Sequence, residues 1–475
     1  MKNLYLLIVV GFIISPSSWA QKNKTEVLKS LDKKTEQYWT NAKKIWGFAE
    51  VGFQETQSSA LLQESLRDAG FKIEAGVAGI PTAFTATFGS GKPVIGILGE
   101  FDALPGVSQE AVPEFKPIPN KNAGHACGHH LFGIASSASA IAVKDWLVAN
   151  KKTGTIRFYG CPAEEGGSGK AYMVRAGLFN DVDAVLHWHP GSLNTAGWGA
   201  SLSNKSGKFR FYGIASHASG SPERGRSALD AVEAMDAMVN MMREHVSDKS
   251  RIHYVITRGG EAPNVVPAFA EVYYYVRHPD PKEVRSLWER VVHAAQGAAL
   301  GTDTRMDYEV TGGAYNMMPN IALAKIMDAN LRSVGGYSYT EDEKVFGKKI
   351  QESFTGKIPS LESSAEIEEF KESESGGSTD VSDVAWVVPT TGLRAATWVP
   401  GTAAHSWQAV AAGGTSIGEK GMMVAAKTMA LTAIDLFSSP TAIAEAWKEL
   451  KERRGEDFKY DPLIGNREPA LDYRN

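Results

Sequence analysis

Residues 94–98, Val-Ile-Gly-Ile-Leu, offer no polar side chain to either face of a strand. Successive strand side chains point to opposite sides of a sheet, so a strand apolar at every position needs cover on both. A largely parallel sheet with helices on each face supplies that cover. Residues 155–159 and 184–186 are read as further strands of the same sheet. The stretch 130–149, rich in small residues, has the spacing of a packed helix. Upstream, 25–48 and 58–69 have helical spacing, the second stopped by Gly70. Strands alternating with helices define an α/β domain with a twisted sheet. The 475 residues, 43% of them hydrophobic, suffice for two domains and a large core.

The pattern changes near residue 205. Expected elements are a strand at 208–214, a helix at 227–245, strands at 251–257 and 271–276, a helix at 282–300 and a strand at 305–310. Leu229, Val232, Met235, Val239 and Met242 share one helix face, a stripe expected to be core. The order β-α-β-β-α-β is the split ferredoxin-like unit. We therefore divide the chain into a larger domain, 21–204 and 314–475, and an inserted α+β domain, 205–313. Helices resume near residue 321. The Glu- and Ser-rich stretch 362–377 is expected to be an exposed loop, 381–398 strand and turn, and 419–437 and 441–451 closing helices.

Residues 1–20 stand apart. Lys2, an apolar run over 4–14, and the small residues Ser18 and Ala20 make a secretory signal peptide with cleavage after Ala20. The run is short for a membrane span. No later segment is expected to be long and apolar enough to cross a membrane. The mature chain is expected to be soluble, and secreted or periplasmic. A formal net charge of -4 argues against a nucleic-acid partner. The two cysteines, Cys127 and Cys161, would form a disulfide in an oxidising compartment, but their surroundings favour two separate roles.

Four segments carry chemistry. Residues 124–130, Gly-His-Ala-Cys-Gly-His-His, place a cysteine and a histidine two apart on a glycine turn before a helix, a spacing that lets both face one cation. Residues 161–167, Cys-Pro-Ala-Glu-Glu-Gly-Gly, put two carboxylates at a strand's carboxyl end, where α/β sheets hold ligands. Residues 186–190, Leu-His-Trp-His-Pro, end another strand, and 401–407 add Gly-Thr-Ala-Ala-His-Ser-Trp. Their convergence on one framework favours a metal site. Asp102 ends the apolar strand, where its carboxylate can orient a metal-bound imidazole.

The segments CPAEEGGSGKAYMVR, HWHPG, SALDAV, NVVPAFAEV, STDVSDVAW and GTAAHSWQ run over nearly the whole mature chain. They resemble the dinuclear metallopeptidases that include aminoacylases, hippurate hydrolases and auxin-conjugate amidohydrolases, and within them the branch acting on aminobenzoyl-glutamate. The resemblance implies a zinc-peptidase-like catalytic domain with an inserted ferredoxin-like lid that also dimerises. It implies two divalent cations, zinc or manganese with cobalt as a substitute. Cys127 would bridge them, His129 would be a terminal ligand of one, His189 a ligand of the other, Glu165 a further metal ligand and His405 the last, with His187 as the alternative to His189. It implies Glu164 as general base and His217 as a lid histidine steadying the oxyanion across the dimer. Asn264 and Arg277 would meet the substrate carboxylate or the lid interface. His130 departs from the Asp or Asn of many relatives and leaves its own role open.

The implied reaction is metal-activated hydrolysis of the amide of small N-acyl amino acids or dipeptides, aminobenzoyl-glutamate among them. The implied assembly is a homodimer through the lid, or a heteromer with a related subunit. Rival readings are an exported dipeptidase of the same fold, a cysteine hydrolase using Cys127 as nucleophile, and a non-catalytic exported binding protein.

Overall fold

A computed structural model describes residues 16–372 and 377–474, with side chains from residue 24 onward. The apolar run 4–14 lies outside the described residues, while residues 16–20 open the first helix, Pro16–Lys33. The larger domain is built on a six-stranded sheet in the order Lys72–Ala75, Phe84–Ser90, Gly154–Cys161, Val94–Glu100, Ala184–Gly191, Thr390–Ala396. The last four strands are parallel, and the first two form an antiparallel edge.

Val94–Glu100 is buried at every position, as its composition requires. One face packs a core of Ile95, Ile97, Phe158, Leu186 and Trp188 against the helices His129–Ala149 and Ser416–Ser438. The other face packs Leu98, Tyr159 and Val185 against Met173, Val174, Val381 and Val384. The two long helices are apolar and long enough to span a bilayer, contrary to the expectation from composition. Both are instead mostly buried, so their hydrophobicity serves the core.

Residues 203–314 form a second, antiparallel sheet in the order Arg305–Ala314, Ser203–Tyr212, Phe269–His278, Arg251–Arg258. The helices Ala228–Met242 and Pro281–Gly301 cover one face, and the Val232, Met235 and Val239 stripe is core.

Two expectations fail locally. Residues 381–387 are a helix that packs Val381 and Val384 under the sheet, and the strand begins only at Thr390. Five apolar residues in seven fit either element, and packing decided. The stretch after 361 is not a free loop. Leu361–Ala365 form a 3-10 turn with Leu361 and Ser364 buried, and Asn194 donates to the Ser364 and Glu366 carbonyls. Residues 373–376 lie outside the described residues.

Candidate metal centre

The chain leaves Val94–Glu100 toward Gly154–Cys161 on one side, then returns past it to Ala184–Gly191 on the other. Such a reversal opens a crevice at the carboxyl ends of the strands. Strand Val94–Glu100 delivers Glu100 and then Asp102 there, both buried. Strand Gly154–Cys161 delivers a turn in which Ala163, Gly166 and Ser168 have φ of 55, 97 and 56 degrees. Left-handed backbone is strained for alanine and serine, so the turn needs outside support. Glu55 accepts from the Ala163 amide at 2.8 Å, and Asp102 Oδ2 accepts from the Glu165 amide at 2.9 Å. Two buried carboxylates thereby place Glu164 and Glu165.

Asp102 Oδ1 also accepts from His129 Nδ1 at 2.9 Å. That bond fixes the tautomer and leaves Nε2 with its lone pair. His189 is prepared in the same way: Nδ1 donates to the Pro190 carbonyl at 2.7 Å, and Nε2 lies 3.4 Å from Cys127 Sγ. Ligand atoms of Cys127, His129 and His189 all lie within 4.8 Å of one another, as do those of Cys127, Glu165 and His405. Cys127 belongs to both sets. A third such set joins Glu100, His129 and Glu164. His405 holds a φ of 62 degrees, its amide bonded to the Ala126 carbonyl, and its Nε2 is 3.3 Å from Glu165 Oε1.

The donor set fits a pair of divalent cations. His129 Nε2 is buried without a hydrogen bond among the described residues, and its near neighbour is the Glu100 carboxylate at 3.2 Å. Converging lone pairs, a thiol and carboxylates without donors between them are what a cation satisfies.

Other residues support this group. Lys170, fully buried, pairs with Glu100 at 2.7 Å and with Asp380 at 2.6 Å. The segment after 456 returns to the site: Tyr473 donates its hydroxyl to the Glu165 carbonyl at 3.1 Å, and Arg474 donates to the same oxygen. Gly52 makes room, since a Cβ there would collide with the Tyr473 hydroxyl. The same segment holds the inserted domain through Arg467 and Glu309 at 2.7 Å.

His130 is not in the cluster. Its Nε2 donates to the Gly413 carbonyl at 3.0 Å and its ring lies against His125, a structural role. His187 lines the same cavity as His189 but belongs to neither Cys127 set. His217 and Asn264 sit together in the inserted domain: the Ala218 amide donates to the Asn264 carbonyl at 3.0 Å. His217 Nδ1 accepts from the Gly220 amide at 3.0 Å, which leaves the proton on Nε2. Arg277 lies in the inserted sheet opposite Arg251 and Asn204, over the Tyr275 ring. None of these three lines the crevice of the single chain. Both cysteines are free and buried.

The model of Peptidase family M20/M25/M40 matches residues 96–409. The chain belongs to this family. It is 40% identical to one of the subunits of the Escherichia coli p-aminobenzoyl-glutamate hydrolase, over 92% of this chain and 96% of that one. It is 28% identical to mouse Xaa-Arg dipeptidase, over 91% and 93%. Among solved structures, an aminobenzoyl-glutamate utilization protein from Klebsiella pneumoniae superposes with a TM-score of 0.62 at 19% identity, covering 86% of this chain and 98% of that one. A dinuclear metal binding peptidase of the M20 family from Bacillus subtilis gives 0.57 at 16% identity, covering 86% and 99%. The M20 chain is a metal-dependent amidohydrolase.

Charge in this M20 site follows burial and neighbours. Burial, with Glu165 beside it, pushes the Cys127 thiol far above its usual range. A reactive nucleophile needs the opposite shift, and nothing supports the cysteine-hydrolase reading. Burial opposes charging His129, but Cys127, Asp102 and Glu100 outweigh it and raise its pKa well above the usual value, so a cation at Nε2 would displace a proton there. Burial, then Glu100, Glu165 and Asp380, raise Glu164 well above the carboxylate range. The direction of that shift favours a carboxyl group that can take up and return a proton.

Motif reading found the ligand set but not Glu55, Glu100, Lys170, Asp380, Tyr473 or Arg474. The available signal was charge in apolar company, as with Lys170 between Gly169 and Ala171.

Proposed function

We propose that this M20 enzyme hydrolyses the amide bond of small N-acyl amino acids, with p-aminobenzoyl-glutamate-like compounds foremost. The observation that carries the reading is the pair of ligand sets sharing Cys127, with Glu164 against His129. The relative at 40% identity supports the substrate class. A dipeptide substrate is the second reading, supported by the Xaa-Arg dipeptidase matched over 93% of its length.

Cys127 would be shared by two cations, with His129 and His189 completing one site and Glu165 and His405 the other. The cations would supply Lewis acidity, polarising the scissile carbonyl and lowering the pKa of water toward roughly 7. Glu164 accepts the proton of the attacking water and returns it to the leaving amine. Asp102 keeps His129 in the binding tautomer. His217, with its proton on Nε2, donates to the oxyanion from a second copy, with Asn264 and Arg277 near the substrate or the lid interface. The thiolate favours zinc, with manganese and cobalt as alternatives. The strand Arg251–Arg258 lies at the edge of the inserted sheet with Tyr254, Val255 and Ile256 exposed, which supports a homodimer through this domain. A heteromer with a related subunit is the alternative assembly. Residues 1–20 would direct export to the periplasm or beyond, a reading checked by the amino-terminal sequence of the protein recovered from its host.

A substrate panel on the metal-loaded protein, read by free amine release, tests the function. Cleavage of aminobenzoyl-glutamate or other N-acyl amino acids is the expected result. No amine release from any N-acyl amino acid or dipeptide with both cations bound would end the proposal.

A further inference from the structure

Strand Thr390–Ala396 runs parallel beside Ala184–Gly191, with Gly392 opposite His187 and Arg394 opposite His189. Leu393 and Ala395 point into the core, so Gly392 and Arg394 share the other face with the two histidines. That face walls a cavity of about 630 Å³ that also takes in Cys127, Glu164 and Glu165. Gly392 keeps it open, because a Cβ there would sit 2.4 Å from His187 Nε2.

Arg394 is exposed, and it is the one lysine or arginine among the described residues that line the cavity. No ion pair or side-chain hydrogen bond engages its guanidinium among the described residues. Nothing in the hydrolytic machinery uses it. An exposed guanidinium with no side-chain partner among the described residues offers an incoming anion a charged pair of hydrogen-bond donors at the cavity wall. The planar fork of arginine matches a carboxylate with two parallel hydrogen bonds. Leu193, Thr195 and Trp198 continue the wall beyond it, a mixed surface able to hold an organic chain.

We propose that Arg394 binds a carboxylate of the substrate and makes this enzyme selective for N-acyl amino acids that bear one within reach of its guanidinium. The proposal deepens the amidohydrolase reading above and rests on it. The carboxylate is either the α-carboxylate or that of an acidic side chain, and substrate amides separate the two.

The test uses the metal-loaded full chain, as wild type, Arg394→Gln and Arg394→Lys, on aminobenzoyl-glutamate, its side-chain amide and its α-amide. Arg394→Gln should lower kcat/KM on the diacid by about 10- to 100-fold, chiefly through KM, because a charged hydrogen-bonded pair is lost. Arg394→Lys should recover part of that loss. On the amide lacking the carboxylate that Arg394 holds, wild type and Arg394→Gln should be equal, and that amide names the source. Equal losses on all three substrates, or no loss on any, would overturn the proposal. Should wild type cleave none of them, the substrate reading falls by itself, and calorimetry with free glutamate still decides Arg394. Binding weakened by Arg394→Gln supports it, and unchanged binding overturns it.

Discussion

In the proposed reaction turnover depends on Glu164 and the Cys127-sharing cation sites do not, since neither Cys127 set contains it. Glu164→Gln should cut kcat by about 10²- to 10⁴-fold while metal content stays at the wild-type level, as measured by elemental analysis. Activity retained in that variant would remove Glu164 from the proton-transfer role. Glu55 makes a second prediction, about stability. Burial and then Asp102 raise its pKa from 4.5 to about 8, against the hydrogen bonds it accepts from Ala163 and Thr82. The folded state holds this proton more tightly than the unfolded one. Stability from this group is therefore complete below about pH 4.5 and is lost as pH rises toward 8. Glu55→Gln removes the dependence, so the variant should gain on wild type between about pH 5 and 9 in denaturant unfolding. A constant difference across that window would contradict a neutral Glu55. Motif spacing exposed Cys127, His129 and Glu165, because ligands cluster in short segments. Glu55 was invisible, because its partner Ala163 is 108 positions away.

At the level of elements, the turn between Gly154–Cys161 and the helix Gly169–Arg175 is held from three directions: Glu55, Asp102 and the segment ending in Tyr473 and Arg474. Removing residues from 473 onward strips both donors from the Glu165 carbonyl. We expect kcat to fall about 10-fold or more with the thermal midpoint nearly unchanged, because small misplacements of reacting groups are costly and a terminal segment adds little core. A truncated protein with full kcat would show that the turn keeps its own geometry. The β-α-β-β-α-β order of the insertion was legible because each element carries its own period. Helix 381–387 was not, since seven residues are too few for a period and burial under the sheet decided its form.

For the whole molecule, the inserted domain contributes no described residue to the lining of the crevice in one chain. His217 and Asn264 lie in the inserted domain and away from the cation ligands. If a second copy supplies His217, then Glu164→Gln and His217→Ala homodimers are each nearly inactive. Mixing them with subunit exchange should restore about a quarter of wild-type activity, because half the dimers are mixed and each has one intact site. No recovery after verified exchange would place His217 outside the neighbouring site.

The amino-acid order alone determined the doubly covered sheet, the insertion and which His, Cys and Glu side chains to look for at the carboxyl ends of the strands. These follow from periodicity and donor chemistry, which are local properties. Only the tertiary structure put His189 rather than His187 beside Cys127 and His129, set His130 against Gly413, drew Glu100, Lys170 and Asp380 together, and left Arg394 in the cavity wall with no side-chain partner among the described residues. Each of those outcomes depends on which strands lie side by side. Strand neighbours are set by packing among residues hundreds of positions apart, and no window of sequence contains them.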